Sequence, residues 1–279
     1  MTHQIQLGLV TDVVPLEDIA SGWDFFEIPN AVHILPMHSE HIWRENRDRY
    51  RATGVPTPVA SHYISGDNPL FGFGTEASGP SYDRDQQLFW ASRSFRRMAE
   101  AGVKVAGVWG GFFRADNGYS TAKAWDDAVS FCNIIADEAD KYGIQIALEP
   151  NADPATLFPS YAEGLAFAKS VRRDSVKMMV DLNYFLKLGE SFDVVRNEPE
   201  YCLHVQMAGE GNGHSQPNVG PRTAAYDELF QLLKDIGYHG TVSVAAPWLS
   251  STGADPIDYA YETTVTLEYM RALRDKFFG

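Results

Sequence analysis

Short apolar runs that end on a polar residue recur along this chain, and stretches with helical spacing separate them. The clearest is Ile144-Gln145-Ile146-Ala147-Leu148-Glu149-Pro150-Asn151, an apolar strand that ends on a carboxylate. Val176-Lys177-Met178-Met179-Val180-Asp181 and Cys202-Leu203-His204-Val205-Gln206 repeat its design. So does Thr241-Val242-Ser243-Val244-Ala245, but with alanine where a polar residue is expected. Four earlier runs complete the set: Gln6-Leu7-Gly8-Leu9-Val10, Phe25-Phe26-Glu27-Ile28-Pro29, Pro58-Val59-Ala60-Ser61-His62 and Val103-Lys104-Val105-Ala106-Gly107-Val108-Trp109. Their length, β-branched content and bounding turn residues predict strands.

Helical spacing predicts a short turn at 16–20 and helices at 39–53, 85–101, 121–142, 161–172, 226–236 and 256–278. Ser39 is the expected N-cap of the first full helix. In the longest central segment Ala124, Ala128, Phe131 and Ile135 mark one apolar face, and Gly143 supplies the stop. Strand and helix alternate about eight times at intervals of about thirty residues, which predicts a parallel sheet with right-handed crossovers. Eight such units predict an α/β fold, a closed (β/α)8 TIM barrel, with residues 1–279 as a single domain. Two long Gly- and Pro-containing segments, 64–82 and 209–223, break the rhythm. Loops of that length are commonly functional, and Phe71 and Phe73 suit the first to an aromatic lid.

Composition narrows the function classes. A hydrophobic content of 44% is ample for a large core, and a net charge of -14 opposes the phosphate backbone of nucleic acid. The two cysteines, Cys132 and Cys202, lie far apart in apolar contexts, which predicts buried reduced thiols rather than a metal site. No apolar run approaches the ~18–20 residues of a membrane span, and the N-terminus lacks the pattern of a secretory signal. These features predict a cytoplasmic protein with neither nucleic-acid nor membrane partners, and they leave a homo-oligomer open.

In parallel β/α architectures ligands and catalytic groups gather where strands end. Glu149, Asp181 and Gln206 together fit a metal site, because hard divalent cations prefer carboxylate and amide oxygens. Ala245 stands where a fourth ligand is expected. Taken singly, each residue also has a plain structural role, such as a helix cap or a partner for backbone groups.

The sequence order Ala147-Leu148-Glu149-Pro150, Val180-Asp181-Leu182-Asn183, His204-Val205-Gln206-Met207-Ala208-Gly209 and Val242-Ser243-Val244 resembles the xylose-isomerase-like barrels, the sugar isomerase and epimerase superfamily. The run from His204 to Gly209, with His214 beyond it, is most similar to hydroxypyruvate isomerase. The resemblance implies a divalent ion, commonly Mn²⁺ with Mg²⁺ or Co²⁺ as alternatives, held by Glu149, Asp181 and Gln206. It also implies proton transfer next to a carbonyl through an enediolate, on a small keto-sugar or hydroxy-keto acid. Glu149 would be one acid/base group. The family's second is a glutamate whose position falls on Ala245, with Ala246 as the neighbouring register. Losing such a group costs ~10²–10⁴-fold in rate. The blank position reads as an inactive Glu-to-Ala form, with natural divergence as the alternative.

Further candidates surround these residues. His62, Trp109, His214, Arg222 and Trp248 are expected to contact substrate, the tryptophans by stacking on a sugar ring, although core or rim packing explains such aromatics equally well. Glu27 and Tyr184 are expected to support the ligands, and His204 to lie behind them. No phosphate-binding loop or strand-end cluster of Lys and Arg occurs. Two rival functions use the same barrel: a lyase or deglycosidase of 3-keto-glycosides, and a non-catalytic sugar-binding protein. A DNA-repair endonuclease is disfavoured by the acidic charge and by the lack of a His-rich zinc pattern.

Overall fold

Strand-forming and helix-forming segments alternate in the computed structural model as the apolar pattern predicts. The structure describes residues 5–12, 14–63, 84–114, 120–208, 216–219, 224–245 and 248–279. Eight strands run in chain order around a closed, wholly parallel barrel: β1 (Gln6–Val10), β2 (Phe25–Pro29), β3 (Val59–Ser61), β4 (Val105–Trp109), β5 (Gln145–Glu149), β6 (Val176–Asp181), β7 (Cys202–Met207) and β8 (Thr241–Val244). Pairing of Leu7 with Val242 and Gly8 with Ser243 closes the ring. The fold is therefore a (β/α)8 TIM barrel.

Around it lie α1 (Glu40–Ala52), α2 (Arg84–Ala101), α3 (Thr121–Asp140), α4 (Tyr161–Val171), α5 (Leu182–Leu188), α6 (Asp193–Asn197), α7 (Ala224–Asp235) and α8 (Tyr259–Phe278). Ser39 caps α1 as expected, accepting the Ile42 amide. Two of the boundaries that differ from the sequence expectation have a plain local cause. The last helix begins at Tyr259 rather than Pro256, because the Asp258 carboxylate accepts the Tyr261 amide and sets its first turn. The third strand stops at Ser61, because His62 takes a left-handed φ of 47° that no strand continues through. Helices α5 and α6, absent from the sequence expectation, fill the connection between β6 and β7.

The apolar side chains fall into two layers. Phe25, Val59, Val105, Ala147 and Met179 fill the barrel interior, and the larger cluster lies between strands and helices. Full burial of a side chain such as Phe25 stabilises the fold by about 1.5–3 kcal/mol. Cys132 and Cys202 are free, buried thiols, and burial pushes the Cys202 thiol up to about 12. Among the described residues no helix is long and apolar enough to cross a membrane.

Candidate functional site

Four neighbouring strands deliver polar side chains to one rim of the barrel. Trp109 ends β4 and pairs in register with Glu149, the last residue of β5; Asp181 ends β6 and pairs with Gln206 on β7. The second pairing depends on an irregularity. Met178 pairs with Cys202 but Met179 pairs with His204, so Leu203 is an extra residue on β7. Without this bulge Asp181 would face Val205; with it, Gln206 is brought beside the carboxylate.

Glu149 and Asp181 are both buried, at 5% and 6% exposure, and they hydrogen-bond to one another. Burial, followed by repulsion from Asp181 and Glu27, pushes the Glu149 carboxyl well above the usual carboxylate range. Burial also pushes Asp181 up to about 7, against hydrogen bonds that favour its charge. The two carboxyls therefore share a proton in the metal-free fold. The Asp181 carboxylate also accepts the Asn183 amide at 2.8 Å, which makes it the N-cap of α5. It thus plays the structural role of a helix cap and stands in the candidate site at the same time.

Deeper in the barrel, Glu27 on β2 is completely buried. Its Oε1 accepts the Gln206 amide at 2.5 Å and its Oε2 accepts His204 Nε2 at 2.9 Å. The Ser243 hydroxyl donates to the same carboxylate. Burial alone would raise this acid, but the attraction and hydrogen bond of His204, together with Ser243, outweigh it and hold Glu27 at about 2. His204 Nδ1 lies 2.7 Å from Thr241 Oγ1, so the histidine sits behind Gln206 as the sequence suggested. Thr241 and Ser243 were missed by sequence reasoning. Their polar, alternate positions in an otherwise apolar strand were the available signal.

The remaining candidates are spread more widely. Ala245 directly follows β8 and donates its amide to the Met207 carbonyl; alternation from Ser243 carries it to the inward side. Trp109 donates from Nε1 to the Tyr184 hydroxyl at 3.0 Å and meets Phe112 edge-on at 4.9 Å. These rings form a wall beside Glu149. His62 lies just past β3, where Asn30, buried and unforeseen, holds the next carbonyl from Tyr63 at 2.9 Å. Trp248 is 6% exposed and belongs to the hydrophobic core. His214, Arg222, Ala246 and the lid candidates Phe71 and Phe73 lie outside the described residues. Of the second long loop, Gln216 is described: it is buried and holds the Leu249 backbone through both ends of its amide.

Among the described residues no three His, Cys, Asp or Glu side chains form a group that could hold a metal. The oxygen donors brought together are the two carboxylates of Glu149 and Asp181 and the amide of Gln206. A cavity of about 760 Å³ lined by Phe185, Phe192 and Phe277 lies outside the barrel and contains none of the strand-end candidates.

A family model described as xylose isomerase-like TIM barrel matches residues 19–273. The D-psicose 3-epimerase of Agrobacterium fabrum is 30% identical over 153 residues, 53% of this chain and 51% of that protein. The chain spans about half the length of the curated relatives it matches. A D-psicose 3-epimerase solved in the presence of D-fructose superposes with a TM-score of 0.77 at 20% identity, covering 97% of this chain and 99% of that one. The apo 3-keto-D-glucoside 4-epimerase from E. coli gives a TM-score of 0.73 at 17% identity, with 96% and 100% coverage. These superpositions concern the fold.

Proposed function

Because the chain belongs to the xylose isomerase-like TIM barrel family, we propose that it is a divalent-cation-dependent isomerase or epimerase of a small keto-sugar or hydroxy-keto acid. The observation that carries this reading is the hydrogen-bonded pair of Glu149 and Asp181, two buried acids at adjacent strand ends beside the Gln206 amide. Two buried acids facing each other retain a proton for want of a positive partner, and a cation would replace that proton. The donor set fits one: it consists of oxygens, which suits Mn²⁺, with Mg²⁺ and Co²⁺ as alternatives. The names of the matched epimerases support the reaction class.

When bound, a divalent cation supplies Lewis-acid stabilisation of negative charge on substrate oxygens. The chain's own residues do the rest. Glu149, ionised, removes the proton from the carbon next to the substrate carbonyl, and the C–H electron pair moves into an enediolate. Return of that proton by Glu149 to the neighbouring carbon completes isomerisation, whereas epimerisation needs a donor on the opposite face, the position that Ala245 occupies. Trp109, held by Tyr184, presents an aromatic face to the sugar, and His62 offers a polar rim group. Trp248, His214 and Arg222 remain the other proposed substrate contacts. Ala245 stands at the second proton-transfer position and reads as a Glu-to-Ala replacement, so this chain carries half of the acid/base pair.

The test is proton exchange followed by NMR in deuterated water, with Mn²⁺ and a panel of ketohexoses and 3-keto-glycosides. The expected result is deuterium uptake next to the carbonyl, abolished in Glu149→Gln. Loss of an aglycone would show a lyase instead. Binding without exchange, even in Ala245→Glu, would show a non-catalytic sugar-binding barrel.

A further inference from the structure

A glutamine side chain can offer a site either an oxygen or an NH₂ group, and these have opposite consequences for a cation. Which one Gln206 offers depends on what holds the other end. Its Nε2 donates to Glu27 Oε1 at 2.5 Å, while the other oxygen of that carboxyl group is taken by His204 and Ser243. That contact fixes the amide: the nitrogen is turned toward β2 and the oxygen away from it. Among the described residues nothing donates to Gln206 Oε1. The oxygen is therefore unclaimed by any described donor, while Asp181 is the register neighbour on the adjoining strand.

Glu27 is an expensive way to fill the barrel interior. A buried charge is stabilised only if its lone pairs are well used, and an apolar replacement would often be neutral or better. Here His204, Gln206 and Ser243, from β7 and β8, all donate to this one carboxylate from β2. His204 and Ser243 occupy its Oε2, which leaves Oε1 to the amide.

We propose that Glu27 is a positioning residue that locks the Gln206 amide with its oxygen toward the cation site formed with Glu149 and Asp181. This inference rests on the cation reading above, and it makes the neutral ligand dependent on a carboxylate that does not itself reach the ion. It leads to an expectation opposite to simple charge counting. Gln206→Glu adds a negative ligand and should tighten cation binding if Gln206 acts alone. With the lock, the added carboxylate confronts Glu27 and cation binding weakens.

The experiment measures Mn²⁺ dissociation constants by calorimetry and by Mn²⁺ electron paramagnetic resonance, with folding checked by circular dichroism. Glu27→Gln leaves three donors competing for a single amide oxygen, and the expected weakening is about 10–100-fold, the range for second-layer partners of metal ligands. Gln206→Glu weakens binding as well. The double variant E27Q/Q206E, in which the donor and the acceptor exchange places, restores affinity and shows strong coupling in a double-mutant cycle. If Glu27→Gln fails to fold, Q206E compared with the double variant decides the matter. Tighter or unchanged binding by Q206E, or no recovery in the double variant, overturns the inference. A metal-free readout separates this failure from failure of the cation reading. In ¹⁵N-labelled protein the Gln206 side-chain NH₂ should exchange slowly with solvent and lose that protection in Glu27→Gln. If the unaltered protein binds no Mn²⁺, the cation reading falls and with it the proposed purpose of the lock. An unprotected Gln206 NH₂ overturns the lock itself.

Discussion

Glu149 and Asp181 share a hydrogen bond across the ends of adjacent strands, and burial pushes both carboxyls upward. Asp181 titrates from the ordinary value of 3.8 in the unfolded chain to about 7 in the metal-free fold. Between those values the folded chain binds more protons than the unfolded one. The stability that this group contributes is therefore fully present below 3.8 and is lost as pH rises through about 7. Filling the site with a cation should reverse that direction, because ligands must be deprotonated to bind. Calorimetric titration of Mn²⁺ at about pH 6, in buffers of different ionisation enthalpy, is expected to show proton release that Asp181→Asn diminishes. In the metal-free protein, the difference in urea stability between Asp181→Asn and the parent should grow toward acid pH.

Ala245 makes a separate prediction about rate. If the second acid/base group is what the site lacks, Ala245→Glu is expected to raise isomerase or epimerase turnover by ~10²–10⁴-fold. Glu149→Gln in that background should remove the gain, since one carboxylate takes the proton and the other returns it. The check is a steady-state assay with the substrate identified by the exchange panel. An increase in Mn²⁺ affinity without any increase in turnover would place the added carboxylate on the ion but not on the reaction path.

Much of this site was legible because strand periodicity is local. An apolar run ending on Glu149, Asp181 or Gln206 reports its own strand and its own end. The partnerships were not legible in the same way. Glu27 and Gln206 are 179 positions apart, and they meet only because the barrel closes. The extra residue Leu203 shifts β7 against β6, and no pattern in Cys202-Leu203-His204-Val205-Gln206 announces which residue will be squeezed out. For Asp181 the sequence offered a ligand or a helix cap as alternatives, and it caps α5 while standing in the candidate site because strand and helix join there without a loop.

His33 provides a pH test away from the site. Burial, against a hydrogen bond to the Thr11 carbonyl, lowers this histidine from 6.5 to about 4. Its Nε2 lies 2.9 Å from that carbonyl, so the neutral ring donates there, and the ring meets Tyr50 edge-on at 4.7 Å. The unfolded chain takes up this proton first as pH falls. Stability is thus expected to drop between pH 6.5 and about 4, with a slope from this group of at most about 1.4 kcal/mol per pH unit. Urea titrations across this range should show that slope diminished in His33→Gln, which can still donate to Thr11. Because Asp181 pulls the other way in part of the same window, the comparison is between variant and parent at each pH.

The last prediction concerns the packing that sets the barrel's interior. Gly8 on β1 pairs in register with Phe25 on β2, and the Phe25 ring lies across the space a side chain at position 8 would fill. A methyl group added at Gly8 would sit 2.2 Å from Phe25 Cζ, closer than any real contact. Phe25 cannot easily retreat, because it is completely buried among Val59, Val105, Ala147 and Met179. Gly8→Ala is expected to destabilise the protein by about 1–3 kcal/mol through overpacking, measured as a lower urea midpoint. Pairing it with Phe25→Leu should recover part of the loss, since the smaller side chain vacates the contested space. If Gly8→Ala alone leaves the midpoint unchanged, the Phe25 ring does not hold the position that fills the barrel floor.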